Sequence, residues 1–87
     1  MDRLRKLYQK AQVSPWNYSY KDLCWLVKEV GFEFSGESGD HRIYKLPGII
    51  EIINLQNVKG KAKPYQIKQV LSLIEKYNLI KEEGGDL

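Results

Sequence analysis

The sequence predicts an α+β domain of two layers, in which amphipathic helices cover one face of a three-stranded antiparallel sheet. The chain has 87 residues, enough for one hydrophobic core and few elements. Apolar residues recur at helical spacing towards both ends, and β-branched runs separated by turn signals occupy the middle. Strands joined by tight turns pair antiparallel, and helices on one side leave the other face open to solvent or a ligand.

The first element is a short amphipathic helix over residues 2–13. Its apolar residues recur at i, i+3, i+4 and i+7 (Leu4, Leu7, Tyr8, Ala11). Ser14-Pro15 ends the helix, because the residue before a proline is pushed out of the helical conformation. A linker over residues 16–18 follows.

A second helix is predicted at about residues 20–30. Ser19 and Asp22 have the spacing of a capping box at its start, and Gly31 is placed to end it. Its apolar stripe is formed by Leu23, Leu26, Val27 and Val30. The aromatic residues near its start, Trp16, Tyr18, Tyr20 and Trp25, are expected to pack the N-terminal helix onto the core.

Three strands are predicted in the middle of the chain. Phe32–Phe34 alternates in the manner of a strand, and residues 36–39 form a turn or loop. His41–Leu46 is the second strand, which Pro47-Gly48 ends with a turn. Ile49–Leu55 is the most β-branched stretch of the chain and is expected to be the central strand.

The last part of the domain is a lysine-rich loop followed by a helix. The loop covers residues 57–63, and Pro64 suits the first turn of a helix that ends near Tyr77. The helix has an apolar stripe of Ile67, Val70, Leu71 and Ile74. We therefore interpret residues 1–18 as an N-terminal helix and linker, 19–80 as the main domain and 81–87 as a flexible tail.

Positive charge is concentrated in the middle of the chain. There are 14 Lys and Arg against 11 Asp and Glu, a net charge of +3. Residues 40–70 hold six basic side chains against two acids, a local charge of +4. The six are Arg42, Lys45, Lys59, Lys61, Lys63 and Lys68. This surplus indicates an anionic partner, and a merely solvated basic face is the alternative.

Several classes of protein are excluded by composition and by missing motifs. No apolar run approaches the roughly 20 residues that span a bilayer, and no apolar stretch behind the N-terminus forms a secretory signal. Cys24 is the single cysteine, so a disulfide within the chain is excluded and the cytoplasm is the expected compartment. P-loop, zincin, nucleophile-elbow and CxxC motifs are absent, and no metal or cofactor is implied.

His41 is the candidate catalytic residue. It is the only histidine, and imidazole is the side chain that both takes and gives protons near neutral pH. It stands where a glycine-containing loop meets a strand, with Arg42 next to it and Lys45 close behind. Such cations hold a phosphodiester while the imidazole moves a proton. A surface histidine without a role is the alternative.

The lysine loop is the candidate phosphate-binding segment. Lys59, Lys61 and Lys63 place three cations in five residues, directly before a helix N-terminus that itself favours anions. Tyr65 is placed to stack on a base, as aromatic side chains do when single strands are bound. The alternative is a solvated loop followed by a core tyrosine.

Two segments resemble the HicA (YcfA-like) family of toxin mRNA interferases. The first begins with Gly31-Phe32-Glu33 and continues through Gly-Asp-His-Arg-Ile-Tyr-Lys-Leu-Pro at residues 39–47. The second includes Ile-Asn-Leu-Gln at 53–56 and Gly-Lys-Ala-Lys-Pro-Tyr-Gln-Ile-Lys-Gln at 60–69. The similarity covers roughly residues 19–78.

This resemblance implies a fold, an activity and a partner. The family has an α-β-β-β-α core like the double-stranded RNA-binding module, so the helix at 2–13 is an addition here. Its members cleave mRNA with a motif histidine, which corresponds to His41, and are neutralised by an antitoxin, HicB. Asp40 departs from the serine usual in the family, and its charge repels a phosphate.

We therefore expect an endoribonuclease that cleaves single-stranded RNA without a metal. His41 acts as general acid or base for attack of a ribose 2′-hydroxyl on the neighbouring phosphate, and water, a lysine or Tyr44 supplies the second proton role. The remaining cations neutralise the backbone. Two alternatives use the same basic surface: an RNA-binding module without cleavage, and an interaction domain for an acidic protein.

Overall fold

A computed structural model describes residues 2–80 of the chain as three helices and three strands. The elements are α1 (Arg3–Val13), α2 (Tyr20–Glu29), β1 (Glu33–Ser38), β2 (His41–Lys45), β3 (Ile52–Gln56) and α3 (Pro64–Lys76), with a 3₁₀ turn at Pro15–Asn17. This confirms the α+β class and the predicted order of elements. The predicted tail at 81–87 lies outside the described residues.

The three strands form one antiparallel sheet in the order β1-β2-β3. β2, rather than the more β-branched β3, is therefore the central strand, and the expectation for residues 49–55 was wrong in this respect. Tyr44 of β2 lies opposite Phe34 of β1 and Ile53 of β3. A bulge at Ser35 shifts the register between Phe34 and Gly36.

The first hairpin extends further than predicted. β1 continues to Ser38, and the turn is reduced to Gly39-Asp40. Gly39 has φ of +62°, which suits the first position of a two-residue hairpin turn. Gly36 belongs to the strand and not to a loop, because it sits beside the bulge, where a strand glycine is tolerated.

The second connection contains the predicted Pro47-Gly48 turn. The Ile49 N–H donates to the Leu46 carbonyl at 3.2 Å, and Gly48 has φ of +94°. Proline at the second position and a left-handed glycine at the third are typical of a type II turn. Pairing with β2 resumes only at Ile52, so residues 49–51 belong to the connection.

The core lies between the inner face of the sheet and the helices. Tyr44, Ile53 and Leu55 are the central inward-facing residues of the sheet, and each is at most 1% exposed. The helices bury most of the stripes predicted from spacing, with Leu4, Tyr8 and Leu71 only partly covered. The buried helical residues include Leu23, Leu26, Val27, Ile67, Val70 and Ile74.

α1 packs into the same core. Its residues Leu7 and Ala11 are buried, and the Tyr18 hydroxyl donates to the Leu7 carbonyl at 2.7 Å. Burial raises the pKa of Tyr18 well above its usual value, so the hydroxyl keeps its proton. The packing role predicted for the aromatic residues is wrong for Trp16, which is 70% exposed.

α2 is capped at both ends as predicted. The Ser19 hydroxyl accepts from the Asp22 N–H at 3.3 Å. At the other end, the Phe32 and Gly31 N–H groups donate to the Val27 and Lys28 carbonyls at 3.0 and 3.1 Å. This is a Schellman motif, and it requires the left-handed φ of +117° found at Gly31.

Replacing Gly31 should destabilise the fold. A Cβ there would lie 3.1 Å from Leu46 Cδ1, and the left-handed backbone disfavours any L side chain. Gly31→Ala is expected to lower the free energy of unfolding by about 1–2 kcal/mol. The matched control is Gly36→Ala, whose Cβ would meet nothing within 4 Å and whose φ is not left-handed. Urea unfolding of both variants measures the difference, and equal stabilities would contradict this assignment.

Glu51 ties the second connection to the end of α3. Lys76 Nζ donates to Oε2 and the Tyr77 hydroxyl to Oε1, each at 2.6 Å. These hydrogen bonds, that from Lys76 first, lower the pKa of Glu51 to about 2. The carboxylate is thus stabilised in the folded chain relative to the unfolded one.

The contribution of Glu51 should depend on pH. Because its folded pKa is below the ordinary value of 4.5, the stabilisation is present above that value and is lost as the pH falls through about 2. Glu51→Gln should therefore lower the melting temperature at pH 7, and the two proteins should converge towards pH 2. Glu29→Gln, an exposed change on α2, is the control. If the melting temperatures of wild type and Glu51→Gln differ as much near pH 2 as at pH 7, the pairing of Glu51 with Lys76 and Tyr77 is contradicted.

Candidate functional site

His41 lies on the open face of the sheet, at the end of the central strand. Side chains alternate between the two faces of a strand, and Tyr44 of the same strand faces the core. His41, three positions earlier, therefore points away from the helices. Its side chain is 43% exposed, and it follows the Gly39-Asp40 turn directly. The imidazole is accessible and is carried by a rigid element.

Two polar residues flank His41 on the same face. The strand register places Ser38 of β1 on one side and Gln56 of β3 on the other. Directly opposite residues have Cβ atoms about 4.5–5.5 Å apart, so a hydroxyl and an amide adjoin the imidazole. Neither residue could be identified from the sequence, because their positions depend on the turn at 39–40 and on the pairing of β3 with β2.

Asp40 reaches the imidazole of His41. Its Oδ1 lies 3.5 Å from His41 Nδ1, and both side chains are about half exposed. Because Asp40 belongs to the turn and not to a strand, it can approach the ring of the next residue. A carboxylate at Nδ1 favours the tautomer with its proton on that nitrogen and leaves Nε2 free to accept one.

The lysine-rich loop is a tight hairpin and not an irregular segment. Val58 and Lys61 exchange two backbone hydrogen bonds of 3.0 Å around a two-residue turn. Lys59 and Gly60 have φ of +54° and +84°, the left-handed pair that a type I′ turn needs. The Asn57 side-chain oxygen accepts from the Gly60 N–H at 2.7 Å, which stabilises this conformation.

Backbone hydrogen bonds fasten this hairpin to its surroundings. The Gly60 carbonyl accepts from Tyr20, the first residue of α2, at 3.0 Å, and the Ala62 N–H donates to the Tyr18 carbonyl at 2.9 Å. The Asn57 N–H donates to the Asp40 carbonyl at 3.0 Å. The hairpin and His41 therefore share one end of the sheet.

The three lysines and Tyr65 border this end of the molecule. Lys59 is at the apex of the hairpin, and Lys61 Nζ donates to the Asn17 side-chain oxygen. Lys63 Nζ lies 5.9 Å from the centre of the Tyr65 ring, at the start of α3. Tyr65 is 62% exposed, so it is not a core tyrosine and its ring is accessible.

Arg42 lies on the opposite face of the sheet from His41. Its Nε is 3.7 Å from Glu37 Oε1, and its guanidinium lies 5.9 Å and 6.0 Å from the ring centres of Tyr20 and Phe34. A hydrogen bond with Tyr44 raises the pKa of Arg42, so the cation is permanent. Adjacent strand residues face opposite ways, which separates two residues that are neighbours in sequence.

Lys45 shares the face of His41 but lies at the other end of β2. Four residues of strand span about 13 Å. Its cross-strand neighbours are Glu33 and Ile52. Lys45 therefore lies apart from His41 and from the lysine hairpin (residues 57–63).

Tyr44 is excluded from the second proton role. Its side chain is 1% exposed and points into the core, away from His41. Burial raises the pKa of its hydroxyl further. The sequence could not reveal this orientation before the strand register was known. Water and lysine remain for that role.

Other kinds of site find little support within residues 2–80. Cys24 is buried in α2 with a free thiol. The described part of the chain brings together no three His, Cys, Asp or Glu side chains that could hold a metal ion. Among its helices, none combines the length and the apolar character needed to cross a membrane.

Comparison with protein-family models, with curated proteins and with solved structures finds no match for this chain. The resemblance of residues 19–78 to the HicA family therefore stays a prediction from sequence.

Proposed function

We propose that this protein is a HicA-like endoribonuclease toxin that cleaves single-stranded RNA. The observation that supports this most directly is the placement of the only histidine, half exposed on the uncovered face of the sheet, beside the end that carries the lysine hairpin. A proton-transfer group and cations at the same end of a sheet suit a phosphodiester substrate.

In this proposal the RNA crosses the end of the sheet. Lys59, Lys61 and Lys63 bind backbone phosphates, and Tyr65 stacks on a base. The backbone that carries Lys59 and Lys61 is fixed before RNA arrives, because the hairpin is held by backbone hydrogen bonds to α2 and to the Gly39-Asp40 turn. Preorganised contacts cost less conformational entropy on binding.

Cleavage then needs one proton removed and one supplied. Nε2 of His41 takes the proton of a ribose 2′-hydroxyl, and that oxygen attacks the adjacent phosphorus. The bond to the 5′-oxygen breaks, and this oxygen receives a proton from water or a lysine. The products are a 2′,3′-cyclic phosphate and a 5′-hydroxyl end. Asp40 holds Nδ1 of the imidazole throughout, while its charge weakens the approach of phosphate.

The remaining predicted RNA-binding residues have outlying positions in this proposal. Lys45, about 13 Å from His41 along β2, would contact the strand beyond the cleaved bond. Arg42 would meet RNA only if the strand passed around the edge of β1. The family resemblance adds a HicB-like antitoxin as the neutralising partner, and the single cysteine makes the cytoplasm the expected compartment.

An RNA-binding module without cleavage is the second candidate. Asp40 favours it, because this carboxylate stands 3.5 Å from the imidazole and faces any phosphate that approaches. Both candidates use the lysine hairpin, so binding alone does not separate them. Cleavage in the presence of a chelator does.

Removing the imidazole should abolish cleavage and preserve the fold. His41→Ala is expected to reduce the rate of RNA cleavage by about 10²–10⁴-fold, the usual contribution of one general acid or base. Growth inhibition on expression should disappear as well. The assay uses one labelled RNA with chelator present, together with a thermal melt of each protein.

Asn54→Ala is the matched control for His41→Ala, because Asn54 on β3 is exposed on the same face of the sheet as His41. It should cleave at close to the wild-type rate. Equal cleavage by wild type and His41→Ala would place the activity elsewhere and favour the binding module. If His41→Ala melts early, His41→Gln replaces it, because its amide preserves more of the side-chain volume.

The lysine hairpin should supply affinity without sequence preference. Changing Lys59, Lys61 and Lys63 to Gln is expected to weaken binding to unrelated RNAs about equally, and to reduce the salt slope by roughly 2, at about 0.7 per phosphate contact. The control changes Lys6, Lys10 and Lys28 to Gln, with the same loss of charge elsewhere. If both triple variants bind RNA with the same affinity at low salt, the hairpin is not part of the RNA-binding surface.

A further inference from the structure

The helices leave one part of the inner sheet face uncovered. Ile53 and Leu55 of β3 and Tyr44 of β2 are buried beneath them, but Phe34 on the edge strand β1 is 51% exposed. A groove of about 620 Å³ runs between α2 and the β1–β2 hairpin at this place. It lies on the opposite side of the sheet from His41.

The floor of the groove is apolar and aromatic. Tyr20, Cys24 and Tyr44 line it with at most 7% of their surfaces exposed. Phe34 stands at one side, with its ring edge-to-face against Tyr44 at 5.9 Å, and Trp25 stands at the other. Phe34 is half exposed beside the pocket, and aromatic rings in such positions are the usual anchors of protein interfaces.

The rim of the groove is positively charged. Lys21 and Lys28 lie exposed along α2, and neither has an ion-pair partner within residues 2–80. Arg42 adds a third cation, and Glu37, 3.7 Å from it, is the acid of the rim. Three cations against one carboxylate leave a local surplus of two charges beside an apolar floor.

We propose that this groove docks an acidic segment of a partner protein. An aromatic or aliphatic side chain of that segment enters between Phe34 and Trp25, and its carboxylates pair with Lys21 and Lys28. The aromatic floor and the charge of the rim favour this partner whether or not His41 cleaves RNA.

A protein segment suits this groove better than RNA does. The floor of Tyr20, Cys24 and Tyr44 is apolar and fits a side chain rather than a backbone phosphate, whereas the three lysines of residues 59–63 are at the other end of α2 from Lys28. An extended segment could also pair with the backbone of edge strand β1, but the bulge at Ser35 interrupts that edge. Recognition through side chains in the groove is therefore favoured over addition of a strand.

Selection from a library of random twelve-residue peptides displayed on phage tests the proposal with the full chain. The enriched peptides should combine acidic residues with an aromatic or aliphatic one. Titrated into the isotope-labelled protein, they should shift the amide signals around Phe34, Trp25 and Cys24. No enrichment, enrichment of basic peptides, or shifts confined to other surfaces would overturn the proposal.

Variants then separate the groove from general charge effects. The double change Lys21→Glu and Lys28→Glu should weaken an enriched peptide about tenfold or more, whereas Lys6→Glu with Lys10→Glu, on α1, should change its affinity less than about twofold. Phe34→Ser should weaken binding of the peptide as strongly. If that variant is unstable, the comparison of the two lysine pairs alone tests the proposal. Similar losses for both lysine pairs would overturn the proposal.

Measuring the RNA affinity of the same variants distinguishes this proposal from the ribonuclease proposal. The Lys21 and Lys28 variant should bind a uridine twelve-mer far better than the variant changed at Lys59, Lys61 and Lys63. If the two variants lose RNA affinity equally, the groove belongs to an RNA surface and the docking proposal fails. If the protein does not cleave RNA but still selects acidic peptides, only the ribonuclease proposal is contradicted.

Discussion

The burial of Tyr44 at the centre of the middle strand is the constraint on which the rest of the sheet depends. Its ring is covered by the helices, opposite Phe34 and Ile53, and burying a large side chain of this kind contributes roughly 1.5–3 kcal/mol. A slip of one residue would turn this ring to solvent and reverse every side chain of the strand. The same constraint sends His41 to the open face and Arg42 to the inner one. Two residues adjacent in sequence thereby belong to two surfaces.

Those two surfaces differ in the chemistry that they offer. The open face beside the lysine hairpin is polar, with an imidazole flanked by a hydroxyl and an amide in the strand register. The groove on the inner face is aromatic with a charged rim. One thin sheet separates them, so a partner in the groove and a strand of RNA at His41 would not compete directly for space. The basic residues of the segment 40–70 are thus divided between surfaces, which a count of lysines and arginines does not reveal.

The sequence allowed the helices, the Pro47-Gly48 turn and the position of His41 at a strand end to be predicted, because each depends on local residues. Spacing and capping residues were sufficient there. The length of β1 was misjudged because Gly36 belongs to a bulge, which forms only when β2 pairs with it. The hairpin at 58–61 was missed because a lysine with positive φ is unusual and is maintained here by contacts with distant residues. Ser38 and Gln56 follow from register alone, which no local pattern contains.

The hydrogen bond from Tyr20 to the Gly60 carbonyl joins residues forty positions apart and so has a consequence for the order of folding. The turn at 58–61 forms from neighbouring residues, but its hydrogen bond to α2 closes a long loop. Contacts of this kind form only after the entropy cost of closing the loop is offset. During synthesis, at about 5–20 residues per second, α2 emerges seconds before residue 60 does. The cationic end of the molecule therefore forms only after residues 57–61 have left the ribosome, later than α2 and the first hairpin. A nascent chain surrounded by ribosomal RNA would lack that surface until then.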